Sequence, residues 1–345
     1  MRTEHISPRY IDLDAWPTAD VIAAMYEGQL AAAAAVGRAL GAISAAVDDA
    51  VPALQRGGRL VYAGAGTSGR IAVQDGSELL PTFDWSADRV VFAMAGGFDA
   101  LVHSIEGAED DVAAGAQAIV QAKVGASDVV IGIAASGTTP YTVGALRAAN
   151  ESGAVTVAVA NNPGAPLFAV ARHRILVETG SEVIAGSTRM QAGTAQKIVL
   201  NLLSTAMMIR MGRIYRGLMV DMRASNAKLR RRAVTIVSEI VRCPESDAAR
   251  YVEGADGDVK TAILLGLGLS RSEATQLLRR HGGNLRNAIG HGASAPSPPS
   301  GGEGRDEGAS PRTPSARRDP SPRPSPRKSG ERERRRRPGG KRRDG

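Results

Sequence analysis

Leu60-Val61-Tyr62-Ala63-Gly64-Ala65-Gly66-Thr67-Ser68-Gly69-Arg70 is the stretch whose reading decides the fold. It opens with an apolar run in which no polar residue alternates, as expected of a strand buried on both faces. The run passes into a Gly/Ser/Thr turn and then a helical pattern. Free backbone N–H groups and the macrodipole at such a helix start favour an anion. The glycines fit G-x-G-x-x-G, which also describes a dinucleotide site. That reading wants an acidic residue at the end of the next strand, and Met94-Ala95-Gly96-Gly97 has none. Thr67 and Ser68 instead add two hydroxyl donors, which suits a compact phosphate monoester.

Working outward, four more apolar, β-branched runs follow: Val90 to Met94, Val129 to Ala134, Val155 to Val159, and Ile175 to Val177. Helical stretches separate them, near 70–80, 98–122, 140–152 and 165–171. This alternation predicts a mostly parallel sheet with helices on both sides. Upstream, residues 19–56 read as one or two Ala-rich helices with Val21, Ile22, Met25 and Leu30 at helical spacing. Downstream, long helices are expected over 190–212 and 225–242. Three short ones follow to about 290, the last broken at Gly282-Gly283 and opened by a Ser270/Glu273 capping box.

The third strand ends on a second polar turn, Ser136-Gly137-Thr138-Thr139-Pro140. Pro140 suits the first helical position and Thr139 the N-cap. Two such loops at carboxyl ends of parallel strands face one crevice, so a single phosphorylated ligand gripped from both sides is the simplest account. A third cluster, Glu182 with Gly186-Ser187-Thr188-Arg189, places donors at another helix start; ordinary capping explains it equally well. Glu78 and the run Glu106-Gly107-Ala108-Glu109-Asp110-Asp111 supply carboxylates for proton transfer, although each also reads as a solvated surface acid. Glu78 ends the helix that begins on the phosphate loop, which suggests that it lies close to a bound sugar. The five histidines lack metal-ligand spacing, and no G-x-S-x-G elbow occurs.

Charge sharpens the division of the chain. Of 345 residues, 43 are Lys or Arg and 35 Asp or Glu, for a net charge of +8. Residues 291–345 hold 15 of the former and 7 of the latter, so the first 290 residues are neutral on balance. That tail has 10 of the 18 prolines and no aromatic or branched aliphatic residue, so it is expected to be disordered. Its arginines could touch phosphates, but with no aromatics to stack on bases we expect no nucleic-acid partner. One cysteine, Cys243, excludes a disulfide scaffold and fits a reducing compartment. The most apolar run, 30–47, is mostly Ala and carries Arg38, and the N-terminus lacks a signal-peptide order. These features predict a soluble cytoplasmic protein without membrane contact.

Several long motifs, met in order, carry a resemblance. They are residues 58–70; Ser77-Glu78 with Pro81-Thr82-Phe83; Glu106-Gly107-Ala108-Glu109-Asp110; Ser136-Gly137 with Thr139-Pro140-Tyr141; and Gly186-Ser187-Thr188-Arg189-Met190 with Ala192 to Lys197. Leu218-Met219-Val220-Asp221-Met222 closes the series. Over roughly residues 10–290 the chain resembles the N-acetylmuramic acid 6-phosphate etherase family. The resemblance implies an α/β sugar isomerase (SIS) domain: a flavodoxin-like parallel sheet sandwiched by helices, followed by a small C-terminal helical domain. The expected division is an N-terminal helical segment (1–50), the SIS domain (51–215), a three-helix, UBA-like domain (216–290) and the tail (291–345).

What the resemblance implies chemically is cleavage of a D-lactyl ether by elimination and hydration, with no cofactor and no metal. Glu78 would be the acid that protonates departing lactate, and Glu109 the base at C2. Gly66, Thr67, Ser68, Ser136, Gly137, Thr138 and Thr139 would hold the phosphate. Glu182, Ser187, Thr188 and Arg189 would be further substrate contacts. The site would lie at a homodimer interface. A relative in the same superfamily, the glucokinase regulatory protein, shares the Gly-Ser-Thr-Arg signature but acts as a sensor; a hexose-phosphate aldose–ketose isomerase is the other alternative. The chain departs from the family at Thr138, where Arg is usual, and at Gln191, where Lys is usual. Leu79-Leu80 also replaces a Cys-Pro pair. Loss of two cations is expected to weaken the hold on an anionic substrate.

Overall fold

The computed structural model describes residues 1–292 except 223 and 225, and the expectations made for the tail lie outside the described residues. Five strands, β1 (Leu60–Gly64), β2 (Val90–Met94), β3 (Val129–Ile133), β4 (Val155–Ala160) and β5 (His173–Leu176), form a parallel sheet in the order β2-β1-β3-β4-β5. All five overlap the predicted runs, and β5 begins two residues ahead of Ile175. β1, β3 and β4 are buried at every position, which explains their unbroken apolar sequences. Gly64 is level with Met94 on one side and Ile133 on the other. The loops that leave β1, β2 and β3 therefore emerge together. The chain reverses direction across the sheet between β1 and β3, the switch point where such sheets bind ligands.

One face of the sheet is covered by α1 (Thr18–Val36), α2 (Leu40–Gln55), α3 (Gly66–Ser77) and α7 (Gln191–Arg210) around a core that includes Leu54, Tyr62, Ile131 and Leu203. The other face carries α5 (Val112–Gln121) and α6 (Pro140–Glu151) over Val61, Val130, Ile119 and Leu146. Truncating a buried leucine such as Leu146 to Ala should cost about 2–5 kcal/mol. α5 and α6 lie unusually close. A Cβ on Gly115 would come within 2.0 Å of the Tyr141 carbonyl oxygen, and one on Gly144 within 2.1 Å of that of Val112. That approach brings the segment ahead of α5 against the start of α6.

Two expectations need adjustment. The predicted helix over 98–122 is a 3-10 turn (Phe98–Leu101), an irregular segment, and only then α5. Gly107 has a positive φ of 71°, and Asp111 caps α5 through the Ala114 N–H. Glu106 and Glu109 thus lie on a loop. The helical stretch Thr18–Gln55 is, by length and composition, long and apolar enough to cross a membrane, because many alanines sum to an apolar window. Its second half packs Ile43, Val47, Val51 and Leu54 into the core, as an interior helix does.

Beyond α7 come a two-stranded hairpin, β6 (Ile214–Tyr215) and β7 (Leu218–Met219), and helices α8 (Ala227–Val241), α9 (Glu245–Gly254), α10 (Val259–Gly266), α11 (Arg271–Arg280) and α12 (Leu285–Gly292). They share a separate hydrophobic cluster that includes Val220, Ile236, Val252 and Ile263. The predicted capping box at Ser270 and Glu273 is present, and the break at Gly282-Gly283 separates α11 from α12. α4 (Leu79–Phe83) is a single short turn that continues from α3.

Candidate active site

The phosphate-loop reading depends on what the first amides of α3 do. The first turn-closing bond runs from the Gly69 N–H to the Ala65 carbonyl, at 3.0 Å. The amides of Gly66, Thr67 and Ser68 therefore precede the helical ladder, and no side chain caps them. Gly66 takes φ +52° over open space, and Ser68 is buried. Gly69 has a packing role: a Cβ there would press on Met94 Sδ at 2.6 Å and on the Gly64 carbonyl oxygen at 3.0 Å. The helix start is thus drawn tightly onto β1, with its donors pointing to the crevice.

The second loop offers hydroxyls rather than free amides, because the Gly137 N–H already donates to the Ala134 carbonyl at 3.0 Å. α6 begins at Pro140 after Thr139, and the Thr139 side chain does not cap it. Thr138 turns inward on Ser136, with both its N–H (3.1 Å) and Oγ1 (3.0 Å) donating to Ser136 Oγ. The Tyr141 N–H donates to the Glu109 carbonyl at 3.0 Å. This bond, together with the close α5/α6 packing, fixes Glu109 beside the Ser136–Thr139 loop. Glu109 itself is exposed and borders a cleft of about 300 Å³ shared with Gly66, Arg70, His103, Ser104 and Glu106. Arg70 reaches across to the loop after β2, its Nε bonded to the Ala100 carbonyl and its Nη2 to that of His103, both at 3.0 Å.

The third cluster divides. Thr188 comes close to the phosphate loop: a Cβ on Gly193 would sit 3.4 Å from the Thr188 carbonyl oxygen and 3.5 Å from Thr67 Cγ2. Ser187 is half-buried and Arg189 exposed on the same segment. Glu182 departs from its expected role as a substrate contact. It is 1% exposed, and its two carboxylate oxygens accept the Gln191 and Ala192 N–H groups, each at 2.9 Å. It is the cap of α7. Burial pushes its carboxyl above the usual range, and the two amides hold it down in part.

Glu78 is also placed differently from expectation. It follows the last residue of α3, and α3 advances ~1.5 Å per residue, so Glu78 lies roughly 18 Å along the axis from Gly66. Within one chain it does not meet Glu109, and it does not line that cleft. It is exposed beside Leu80. The helix that separates them is anchored at Asp75, which is buried and accepts hydrogen bonds from Tyr62 Oη (2.8 Å), Asn201 Nδ2 (2.6 Å) and Ser204 Oγ (3.1 Å). Gln191, expected near the anion, is buried instead; its Nε2 donates to the Ser181 carbonyl, and its amide packs against Gly28 of α1. The departure at 191 therefore concerns packing.

Sequence reading missed one supporting contact. Thr3, wholly buried, accepts from Asn162 Nδ2 at 3.0 Å, and the same amide group donates to the Ala135 carbonyl just before Ser136. Gly186 N–H donates to the Thr3 carbonyl. The first residues of the chain thus tie two of the candidate loops together, a link 159 residues apart that no local pattern announces. Among the described residues, no group of three or more His, Cys, Asp or Glu could hold a metal ion.

Comparison with known proteins identifies the family. Residues 42–150 match the model of the glucokinase regulatory protein N-terminal SIS domain, and residues 104–206 match that of the SIS domain. An N-acetylmuramic acid 6-phosphate etherase of Deinococcus radiodurans is 50% identical over 292 residues, spanning 84% of this chain and 96% of its own. One from Rhizobium rhizogenes is 46% identical over 289 residues, spanning 83% and 94%. Among solved structures, a phosphoheptose isomerase from Francisella tularensis covers 56% of this chain and 98% of its own, at 17% identity and a TM-score of 0.42. The chain belongs to the N-acetylmuramic acid 6-phosphate etherase family.

Proposed function

We propose that this protein cleaves the D-lactyl ether of N-acetylmuramic acid 6-phosphate, releasing N-acetylglucosamine 6-phosphate and D-lactate. The observation that carries the reading is the pair of helix starts, at Gly66–Ser68 and Ser136–Thr139, left without side-chain caps at the β1/β3 switch point beside an exposed carboxylate, Glu109. The amides of Gly66, Thr67 and Ser68 and the hydroxyls of Thr67, Ser68, Ser136, Thr138 and Thr139 bind the phosphate; Gly137, whose N–H donates to the Ala134 carbonyl, shapes the second loop against it, and Ser187, Thr188 and Arg189 border it. A site built from amides needs no net positive charge, in keeping with a body that is neutral on balance.

The sugar opens to its aldehyde, which acidifies C2. Glu109 takes the C2 proton, the C3–O bond breaks, and a carboxylic acid gives its proton to the departing lactate oxygen. Water then adds at C3 of the unsaturated aldehyde. Glu78 is that acid, supplied by a second copy of the chain. Its placement at the far end of α3 calls for this, and the face around it supports it. Leu80, Leu202 and Ile209, with Ile22, Tyr26 and Leu30 of α1, leave large apolar side chains exposed on helices that pack against one another. A homodimer covers them and completes each site. The lone cysteine fits a reducing compartment, and we place the reaction in the cytoplasm, in recycling of cell-wall peptidoglycan.

Incubation with the substrate in deuterated water tests the activity. Lactate release with solvent deuterium incorporated at C2 is expected; a folded protein that binds the sugar phosphate and releases no lactate would overturn the etherase reading. C2 exchange alone would mark an isomerase, and binding alone a sensor. Mixing inactive Glu78→Gln and Glu109→Gln chains tests the shared site. Exchange of subunits should restore about a quarter of wild-type activity, because half the dimers then hold one intact site of two. No recovery would place both groups in one chain.

A further inference from the structure

The cleft beside Glu109 has an unusual charge arrangement. Glu106 and Glu109 line it, and Arg70 is its one lysine or arginine. Arg70 opens the second turn of α3, and its Nε and Nη2 are occupied by the carbonyls of Ala100 and His103. Both acceptors are neutral. Among the described residues Arg70 forms no ion pair, and its Nη1 has no partner. A positive charge is therefore held in place by two backbone groups while its neutralising anion is missing.

On the etherase reading, the substrate carries two anions. The phosphate goes to the loop amides. The second is the carboxylate of the lactyl group, joined through C3, one carbon from the proton that Glu109 removes. That geometry puts the lactyl group in this cleft, where two carboxylates would repel its charge unless a cation met it. We propose that Arg70 binds the lactyl carboxylate and is the residue by which the site distinguishes the lactyl-bearing sugar from the amino sugar phosphate it becomes. The two carbonyl bonds preorganise the guanidinium, so little side-chain freedom is lost on binding. Ser104, on the same rim, is in reach as a second donor to that group.

The test compares ligands that share the phosphate and differ in the lactyl group, on the full-length protein. Arg70→Gln should raise KM for N-acetylmuramic acid 6-phosphate by about 10- to 100-fold, the range of a lost charge-assisted contact. It should change the Kd of N-acetylglucosamine 6-phosphate by less than about threefold. Inhibition by D-lactate should disappear, and Arg70→Lys should recover part of the discrimination. Equal weakening of both sugar phosphates would overturn the proposal and assign Arg70 to the phosphate or to holding the loop; no weakening of either would overturn it as well. A measurement on wild-type protein keeps the question open to refutation if the variants fail to fold. A substrate analogue with a neutral lactamide should bind about 10- to 100-fold more weakly than the carboxylate, and equal binding would sink the idea. Failure of the underlying reading looks different: wild-type protein would then release no lactate from the true substrate.

Discussion

Two helix starts in this molecule carry nearly the same residues and do opposite things. Gly66-Thr67-Ser68 opens α3, and Gly186-Ser187-Thr188 leads into α7. The amides of α3 are free and face the crevice, whereas those of α7 are already taken by the buried carboxylate of Glu182. The difference teaches that a Gly/Ser/Thr cluster at a helix start is only a potential anion site. Whether a ligand or the protein supplies the anion depends on a residue that arrives from elsewhere in the chain.

The most severe way to break the contrast is to close the open end. Ser68→Asp would set a carboxylate where the phosphate goes, so kcat/KM should fall by at least about a hundredfold through like-charge repulsion, while thermal stability holds or rises through the helix dipole. Loss of stability with unchanged kinetics would show that α3 is not the phosphate end. The converse change opens the closed end. Glu182→Ala leaves the Gln191 and Ala192 amides buried and unpaired and should destabilise by about 2 kcal/mol, read as a lower denaturation midpoint at unchanged slope. Phosphate affinity should shift by less than about twofold; a large affinity loss would return Glu182 to the ligand.

The smallest effect concerns pH, and here the sign differs between two carboxyls. Glu182 titrates above its usual range because burial dominates, so its contribution is full below the unfolded value and declines as pH rises through the folded one. Asp128 is opposite. Burial pushes it up, but hydrogen bonds from the Arg59 side chain (2.7 Å), the Gly125 and Arg59 amides, and the Arg59 charge outweigh that and bring it below the usual carboxylate range. Its contribution is therefore full above the ordinary aspartate value and lost as pH falls through the lower folded one. The stability gap between wild type and Asp128→Asn should shrink on acidification, and that between wild type and Glu182→Gln should widen. Parallel trends for the two variants would contradict the assignment.

Much of the site was legible without coordinates. Unbroken apolar runs ending in Gly/Ser/Thr turns announce buried parallel strands with donor-rich loops, because burial on both faces and a need for small residues at a tight strand-to-helix turn are both local demands. Glu109 was legible as a carboxylate, though its loop was read as helix; Asp111 and Gly107 were the available signals of a late helix start. Arg70 was visible in the motif, but its neutral partners were not, since Ala100 and His103 offer only backbone.

The order of elements, the two Gly/Ser/Thr loops and the neutral body were determined by the sequence itself, because each depends on residue type at short spacing. Tertiary structure alone decided which helix starts stay open, that Gln191 turns into the α1 contact, and that α3 carries Glu78 away from Glu109. Those outcomes depend on direction along a rigid helix and on hydrogen-bond partners brought from distant segments, such as Thr3 to Asn162, and no local pattern encodes either.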